Sequence, residues 1–403
     1  MAPLSILPAA LLAAALAAPD APPDAPPRVS MLTFDPGDDL FAAFGHVALV
    51  ATPDGGAPPK VYSFGNYDFA RPDAKWRYAC GHLDYWVSVS TLDATLERYR
   101  GFDRGAALRD LDLSPRQAEA LVAALERATL PQNRTYRYNH VANNCCTKVR
   151  DLVDGATGGA LRGRFSRLPA SDTYRGWLRR SLAERPLWLA LIDFSLGPSF
   201  DRPIDRYEEE FLPSVLSADL DAATLPDGRP LVSGRRRLLP ARAVGSAGRG
   251  ARLEASLLPG AAAIFSLACL ALALAGARPW ARRAAGVLLA IFGLASGACG
   301  ALLVFLQLGV HVDAHGNANH LLAPAAHLWL VIPGVALVVR GRLGPRLARV
   351  TRLYLAAAVA CLGAALLLAL GYQDNLRYVA LAVGPAISMM LLSTATLAYR
   401  RRP

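Results

Sequence analysis

The chain has 403 residues, 53% of them hydrophobic, and a formal net charge of +11. That length admits two or three domains. The charge gives no argument for nucleic acid, because it is nearly all Arg in an Ala-rich chain and much of it flanks apolar runs of membrane-spanning length.

The first residues, "MAPLSILPAALLAAALAAPDAPPDAPP", hold an apolar core too short for a comfortable span, followed by small residues and an A-x-A pattern at Ala15–Ala17. Residues 1–18 read as a signal peptide and 19–28 as a Pro-rich linker, an uncleaved anchor being the alternative. Residues 29–225 have the composition of a mixed α+β domain. Residues 226–255, with "SGRRRLLPARAVGSAGRGAR", read as a basic juxtamembrane linker able to lie along anionic head groups.

From residue 256 to 403 the chain predicts an all-α membrane domain of five spans, near 257–277, 284–310, 324–340, 353–372 and 377–397. Arg278, Arg282 and Arg283 follow the first span, Arg340 to Arg352 the third, and Arg400–Arg402 the fifth. By the positive-inside rule these loops and the C-terminus are cytoplasmic and the N-terminal domain is exported. The spans lack Asp, Glu, Lys or Arg at their centres, which argues against a transporter. His311, His315, His320 and His327 cluster near an outer loop, at a spacing that fits no known metal site.

Three of the six cysteines, Cys269, Cys299 and Cys361, fall in spans as small packing residues. No spacing suggests zinc, and no cofactor motif is present; "GGAPPK" lacks the P-loop spacing. Cys80 and Cys146 could pair in an oxidising compartment. The adjacent Cys145 and Cys146 stand where a loop becomes a helix, in "YNHVANNCCTKVRDLVDG". With a helix starting near Asn144 and ending at Asp154-Gly155, Cys145, Val149, Leu152 and Ala156 form one apolar stripe, and Cys146 lies about 100° away. A thiol in the first helical turn feels unpaired N–H groups and the positive end of the helix dipole, which favour thiolate. Cys145 is thus either a nucleophile or a buried packing residue. A nucleophile needs a base, and the exported domain offers His46, His82 and His140.

Several stretches occur in a recognisable order: "FGHVALV", "VYSFGNYDFARP", "CGHLDYWV", "YRYNHVANNCCTKVRDLV", "TYRGWLRRSL" and "LGPSFDRPIDRYEEEFLP". From about Ser30 to Ala222 the chain resembles the Lnb-type N-terminal periplasmic domain family. The resemblance places the family's "NC" on Asn144 and Cys145 and its histidine on His46, with Cys146 where Thr is usual. The His-first, Cys-later order is also similar to the permuted papain-like folds of lecithin retinol acyltransferase relatives and NlpC-type peptidases. It implies an α+β exported domain with a permuted papain-like Cys-His core. Tyr62, Gly65, Asp68, Phe69, Tyr85, Tyr138, Asp151 and Asp201 also fall on motif positions. Asp68 or Asp201 could orient the imidazole, and Tyr62, Tyr85 and Tyr138 could contact substrate.

Lnb-type proteins move an acyl chain from the diacylglyceryl group of a bacterial lipoprotein to the amine of its N-terminal cysteine. The resemblance therefore implies an inner-membrane acyltransferase with a periplasmic domain. Its nucleophile would be Cys145 and its base His46, and its partners a diacylglyceryl lipoprotein or membrane lipid in the bilayer. The alternatives are a thiol amidase or peptidase on cell-wall peptide, and a non-catalytic envelope protein that binds lipid or a partner.

Overall fold

A computed structural model describes residues 26–54, 57–241, 249–276 and 278–397. The expected signal peptide, most of the Pro-rich linker, residues 242–248 of the basic stretch and Arg400–Arg402 lie outside the described residues.

The N-terminal domain begins with β1 (Arg28–Phe34), β2 (His46–Thr52) and β3 (Lys60–Asn66). Next come α1 (Ala74–Ala79), β4 (Asp84–Thr91), α2 (Leu92–Gly101), β5 (Ala106–Leu111), α3 (Pro115–Thr129) and β6 (Thr135–Arg137). The helices α4 (Cys145–Ala156), α5 (Ala160–Phe165), α6 (Tyr174–Ser181) and α7 (Pro186–Ser195) follow, then α8 (Arg206–Glu209), α9 (Pro213–Ala222) and β7 (Val232–Leu239). The seven strands form one antiparallel sheet in the order β6-β4-β3-β2-β1-β5-β7.

Alternation along the strands divides the core. Val29, Met31, Val47, Leu49, Tyr62 and Phe64 pack with α3 and α4, through Leu121, Leu125, Val149 and Val153. Leu32, Phe34, Ala48, Val50 and Val61 pack on the other face with Leu92, Leu96 and Tyr99 of α2. β7 lies inside the stretch read as a linker. Its "SGRRRLL" lacks an apolar period, but as an edge strand it gains its fold from the β5 ladder. Its arginines are not free for head groups, since Arg235, Arg236 and Arg237 pair with Asp221, Asp110 and Asp35.

The C-terminal part comprises α10 (Arg249–Ala275), α11 (Pro279–Leu308), α12 (Val331–Arg340), α13 (Pro345–Ala369) and α14 (Leu376–Leu397). Among the described residues five segments are long and apolar enough to cross a membrane, the third being Ala318–Arg340, which enters through 3-10 turns before α12. Gly286, Gly293, Gly297 and Gly300 of α11 leave no room for a Cβ against that third segment, so the two backbones meet closely.

The loops 309–317 and 370–375, the two with almost no basic charge, both face the N-terminal domain. His311 Nε2 meets the Ala79 carbonyl at 2.9 Å, and Asn139 donates to Asp313 at 2.8 Å. Asn317 and Asn319 donate to the Phe194 carbonyl and Gln373 to that of Leu196, satisfying carbonyls at the end of α7. Asp193 of α7, fully buried, receives Arg175 at 2.6 Å, Arg179 at 3.0 Å, Arg377 at 3.2 Å and the Tyr378 hydroxyl at 3.1 Å. The four histidines do not gather. His315 turns to the Gly309 carbonyl, His327 is buried inside the third segment against Ser296, and no metal-binding group occurs among the described residues.

Candidate active site

α4 begins at Cys145 because Asn144 caps it. The Asn144 side chain accepts from Thr147 N–H at 3.0 Å, and Thr147 Oγ1 accepts from Asn144 N–H at 2.8 Å. Asn144 Nδ2 also donates to the carbonyls of His140 and Phe211, which fixes the approach loop and the helix start together. The N–H groups of Cys145 and Cys146 lie in the first turn, where no intrahelical acceptor exists.

His46 opens β2, and by parity its side chain belongs to the α2 face, where it stacks near Phe34 and Tyr99. Cys145 approaches from the α4 face. The two meet because β2 and β3 separate. Their ladder ends at Leu49↔Tyr62, three residues short of His46, and β3 then bends away at Gly65 with φ +88°. A Cβ on Gly65 would stand 3.6 Å from both Cys145 Cβ and the Tyr138 ring. In that split the Cys146 thiol, the His46 imidazole and the Val47 backbone all stand close enough to the Cys145 thiol to lower its pKa.

The Cys146 thiol, donating to Cys145, is the largest influence holding the Cys145 pKa well below the ordinary thiol range; burial opposes it, and the charge and hydrogen bond of His46 add to the lowering. Cys146 is fully buried, and burial raises its own pKa, as does its hydrogen bond to Cys145. The Cys80–Cys146 disulfide that the sequence allowed is absent. Both thiols are free, and Cys146 packs beneath the sheet.

His46 Nε2 lies 2.9 Å from Ser63 Oγ. Ser63 is therefore the group that holds the outer ring nitrogen. Asp68 accepts from Ala70 N–H instead, and Asp201 is bound to Arg175 at 2.6 Å. The Asp68 carboxylate is thus held within its own turn and that of Asp201 by an ion pair, while the side chain bonded to His46 is Ser63. Tyr62 is buried in the core, with burial raising its pKa, whereas Tyr85 stacks on Tyr138 at 4.1 Å beside the site. Asp151 pairs with Arg150 and accepts from Tyr207 at 2.9 Å. His140, exposed like His82, bonds to the Tyr78 hydroxyl at 3.0 Å.

Two residues near the site were not singled out by the sequence. Ser63 differs from its neighbours only in being polar on the strand face it shares with Val61. Arg104 is buried, donates to the Asp35 carbonyl at 2.7 Å and stacks 4.9 Å over Tyr99, and it is close enough to Cys145 to feel its charge. A buried acid lies behind the thiols: Glu210 is fully buried, and burial followed by Asp219 raises its pKa to about 9.

Residues 24–180 match the family model of the Lnb N-terminal periplasmic domain. No curated protein and no solved structure matches the chain. The match spans both His46 and Cys145 and leaves residues 181–403 outside it. The chain is an envelope membrane protein that carries a domain of the Lnb N-terminal periplasmic domain family, joined to five helices long and apolar enough to span a membrane.

Proposed function

We propose that the protein is a membrane-anchored thiol acyltransferase in which Cys145 carries the acyl chain as a thioester. The observation that supports this most is the Cys145–His46–Ser63 arrangement at a helix N-terminus, inside the matched domain. A helix-borne Cys packed on an antiparallel sheet whose strand carries the His is also what a permuted papain-like core requires.

In the forward step the Cys145 thiolate attacks the carbonyl carbon of a glycerol ester. The free N–H groups of Cys145 and Cys146 receive the oxyanion. The C–O bond breaks as imidazolium His46 protonates the departing glycerol oxygen. A primary amine then attacks the thioester, the C–S bond breaks, an amide forms, and His46 takes the amine proton to restore the ion pair. The donor is a lipoprotein diacylglyceryl group or a phospholipid, and the acceptor is an amine. The N-terminal domain works on the periplasmic side, with the basic loops and the C-terminus in the cytoplasm.

The test uses the full chain in nanodiscs with a synthetic diacylglyceryl lipopeptide that has a free amino terminus. Tandem mass spectrometry should find one acyl chain moved from glycerol to the amine, and no product with Cys145→Ala or His46→Ala. Cleavage of a cell-wall peptide with no acyl movement would instead make the protein an amidase.

A further inference from the structure

A run of aromatic rings leads away from Cys145, and the chemistry above does not use it. Tyr138 borders the split beside Gly65 and stacks on Tyr85 at 4.1 Å. Tyr85 meets Tyr67 at 4.9 Å, Tyr67 meets Phe69 at 4.8 Å, and Phe69 meets Phe41 at 4.8 Å. Phe41 and Phe69 are each 48% exposed, an unusual pairing of open phenyl rings on an exported domain. Tyr78 closes the side of the run, 5.5 Å from Phe41, with His140 beyond it. The Tyr67, Tyr78 and Tyr85 phenols are un-ionised near pH 7, so they add no charge to the rings.

The run reaches the membrane segments through α1. Trp76 meets Phe305 of α11 at 6.1 Å, and Gly81 packs on Val310 and His311. Leu308, Val310 and Val312 are exposed there, so the apolar surface of α11 continues past its end toward α1 and the exposed rings. Apolar surface on a span is covered by lipid, and its continuation selects hydrocarbon over a peptide or sugar, which would need hydrogen-bonding groups along its length.

We infer that the strip formed by Phe41, Phe69 and Tyr67 binds one acyl chain of a bilayer phospholipid at the outer end of α11, with Tyr138 and the buried Tyr85 joining it to the Cys145 site. The use of that chain as an acyl donor rests on the acyl-transfer reading; its binding does not.

The experiment uses the full chain carrying Cys145→Ala, in phosphatidylethanolamine–phosphatidylglycerol nanodiscs doped with a phospholipid bearing a diazirine at the end of one acyl chain. After irradiation, peptide mapping should find label on residues 38–44 and 67–80 as well as on the spans. Label on those peptides should fall about tenfold with Phe41→Ser/Phe69→Ser, while label on the spans persists and reports an intact membrane domain. Label confined to the spans, or label on those peptides unchanged in the double variant, overturns the strip. Strip label in Cys145→Ala protein, together with no acyl adduct on the native chain, would retain the lipid site and reject acyl transfer.

Discussion

Ser63 Oγ, 2.9 Å from His46 Nε2, occupies that ring nitrogen and leaves the other for the thiol, which makes Ser63 a positioning residue in the proposed reaction. Ser63→Ala should lower kcat/KM roughly tenfold, the worth of one hydrogen bond of about 1–1.5 kcal/mol. It should also move the pH profile of Cys145 alkylation, and Ser63→Thr should restore both; a unchanged profile in Ser63→Ala contradicts the role. Glu210 offers a second test. Its pKa is raised from 4.5 to about 9 in the folded chain, so its stability contribution is full below about pH 4.5 and is lost as pH rises through about 9. Glu210→Gln should melt like the native chain at pH 5 and later than it at pH 9, the native chain losing up to roughly 1.4 kcal/mol per pH unit between; parallel melting at both pH values contradicts this. Cys145 and His46 were legible because each stands at the start of a regular element in a recognisable motif. Ser63 was not, because what gives it a role is a cross-strand neighbour 17 residues away. Asp68 and Asp201 were named because carboxylates commonly orient imidazoles, whereas here local turn and ion-pair partners hold them.

At the scale of elements, the site depends on where β3 leaves β2. Gly65 makes that departure with a positive φ, and Ala there costs roughly 1–2 kcal/mol. Gly65→Ala should therefore lower the melting temperature and slow alkylation of Cys145 by iodoacetamide, since the new methyl narrows the split; native rates in this variant would contradict the geometry. The start of α4 was legible to within a residue: the apolar stripe put it near Asn144 with Asn143 or Asn144 as the cap, and Asn144 is the cap. The end was placed slightly early: Asp154-Gly155 does not stop the helix, which runs on to Ala156, and Asp154 instead accepts from Leu161 and Arg162 N–H. β7 was not legible, because edge-strand pairing is decided by the neighbouring strand. The third apolar segment begins six residues earlier than its hydropathy suggested, at Ala318 rather than 324, because polar Asn319 and His320 are carried in 3-10 turns.

Across the whole molecule, two loops of the C-terminal part and α7 fasten the N-terminal domain to the membrane segments. Asp193 is the hub, with Arg175 1% exposed beside it. Removing one partner of a buried ion pair strands the other, so Asp193→Ala should cost about 3–5 kcal/mol. In a thermal melt followed by cysteine labelling, the thiols of the N-terminal domain should open well below the native temperature; an unchanged melt contradicts the docking. The five-segment organisation and the shared side of the weakly basic loops were legible in hydropathy and Arg placement. The docking was not, because it is built from single polar residues far apart in the chain, such as Asn139 with Asp313 and Arg179 with Asp374. The short approach loop from Asn139 to Asn144 joins this docking to the nucleophile.

The most direct measurement is intact-protein mass after incubating the full chain with diacylglyceryl lipopeptide and phospholipid, beside Cys145→Ala and Cys146→Ala. A hydroxylamine-labile acyl adduct is expected on the native chain and none on Cys145→Ala. Cys146→Ala should still form it, with a higher pH midpoint, because the hydrogen bond that favours the Cys145 thiolate is gone. No adduct from either donor, with Cys145 inert to iodoacetamide up to alkaline pH, would contradict a nucleophilic Cys145 and leave it a packing residue at the head of α4.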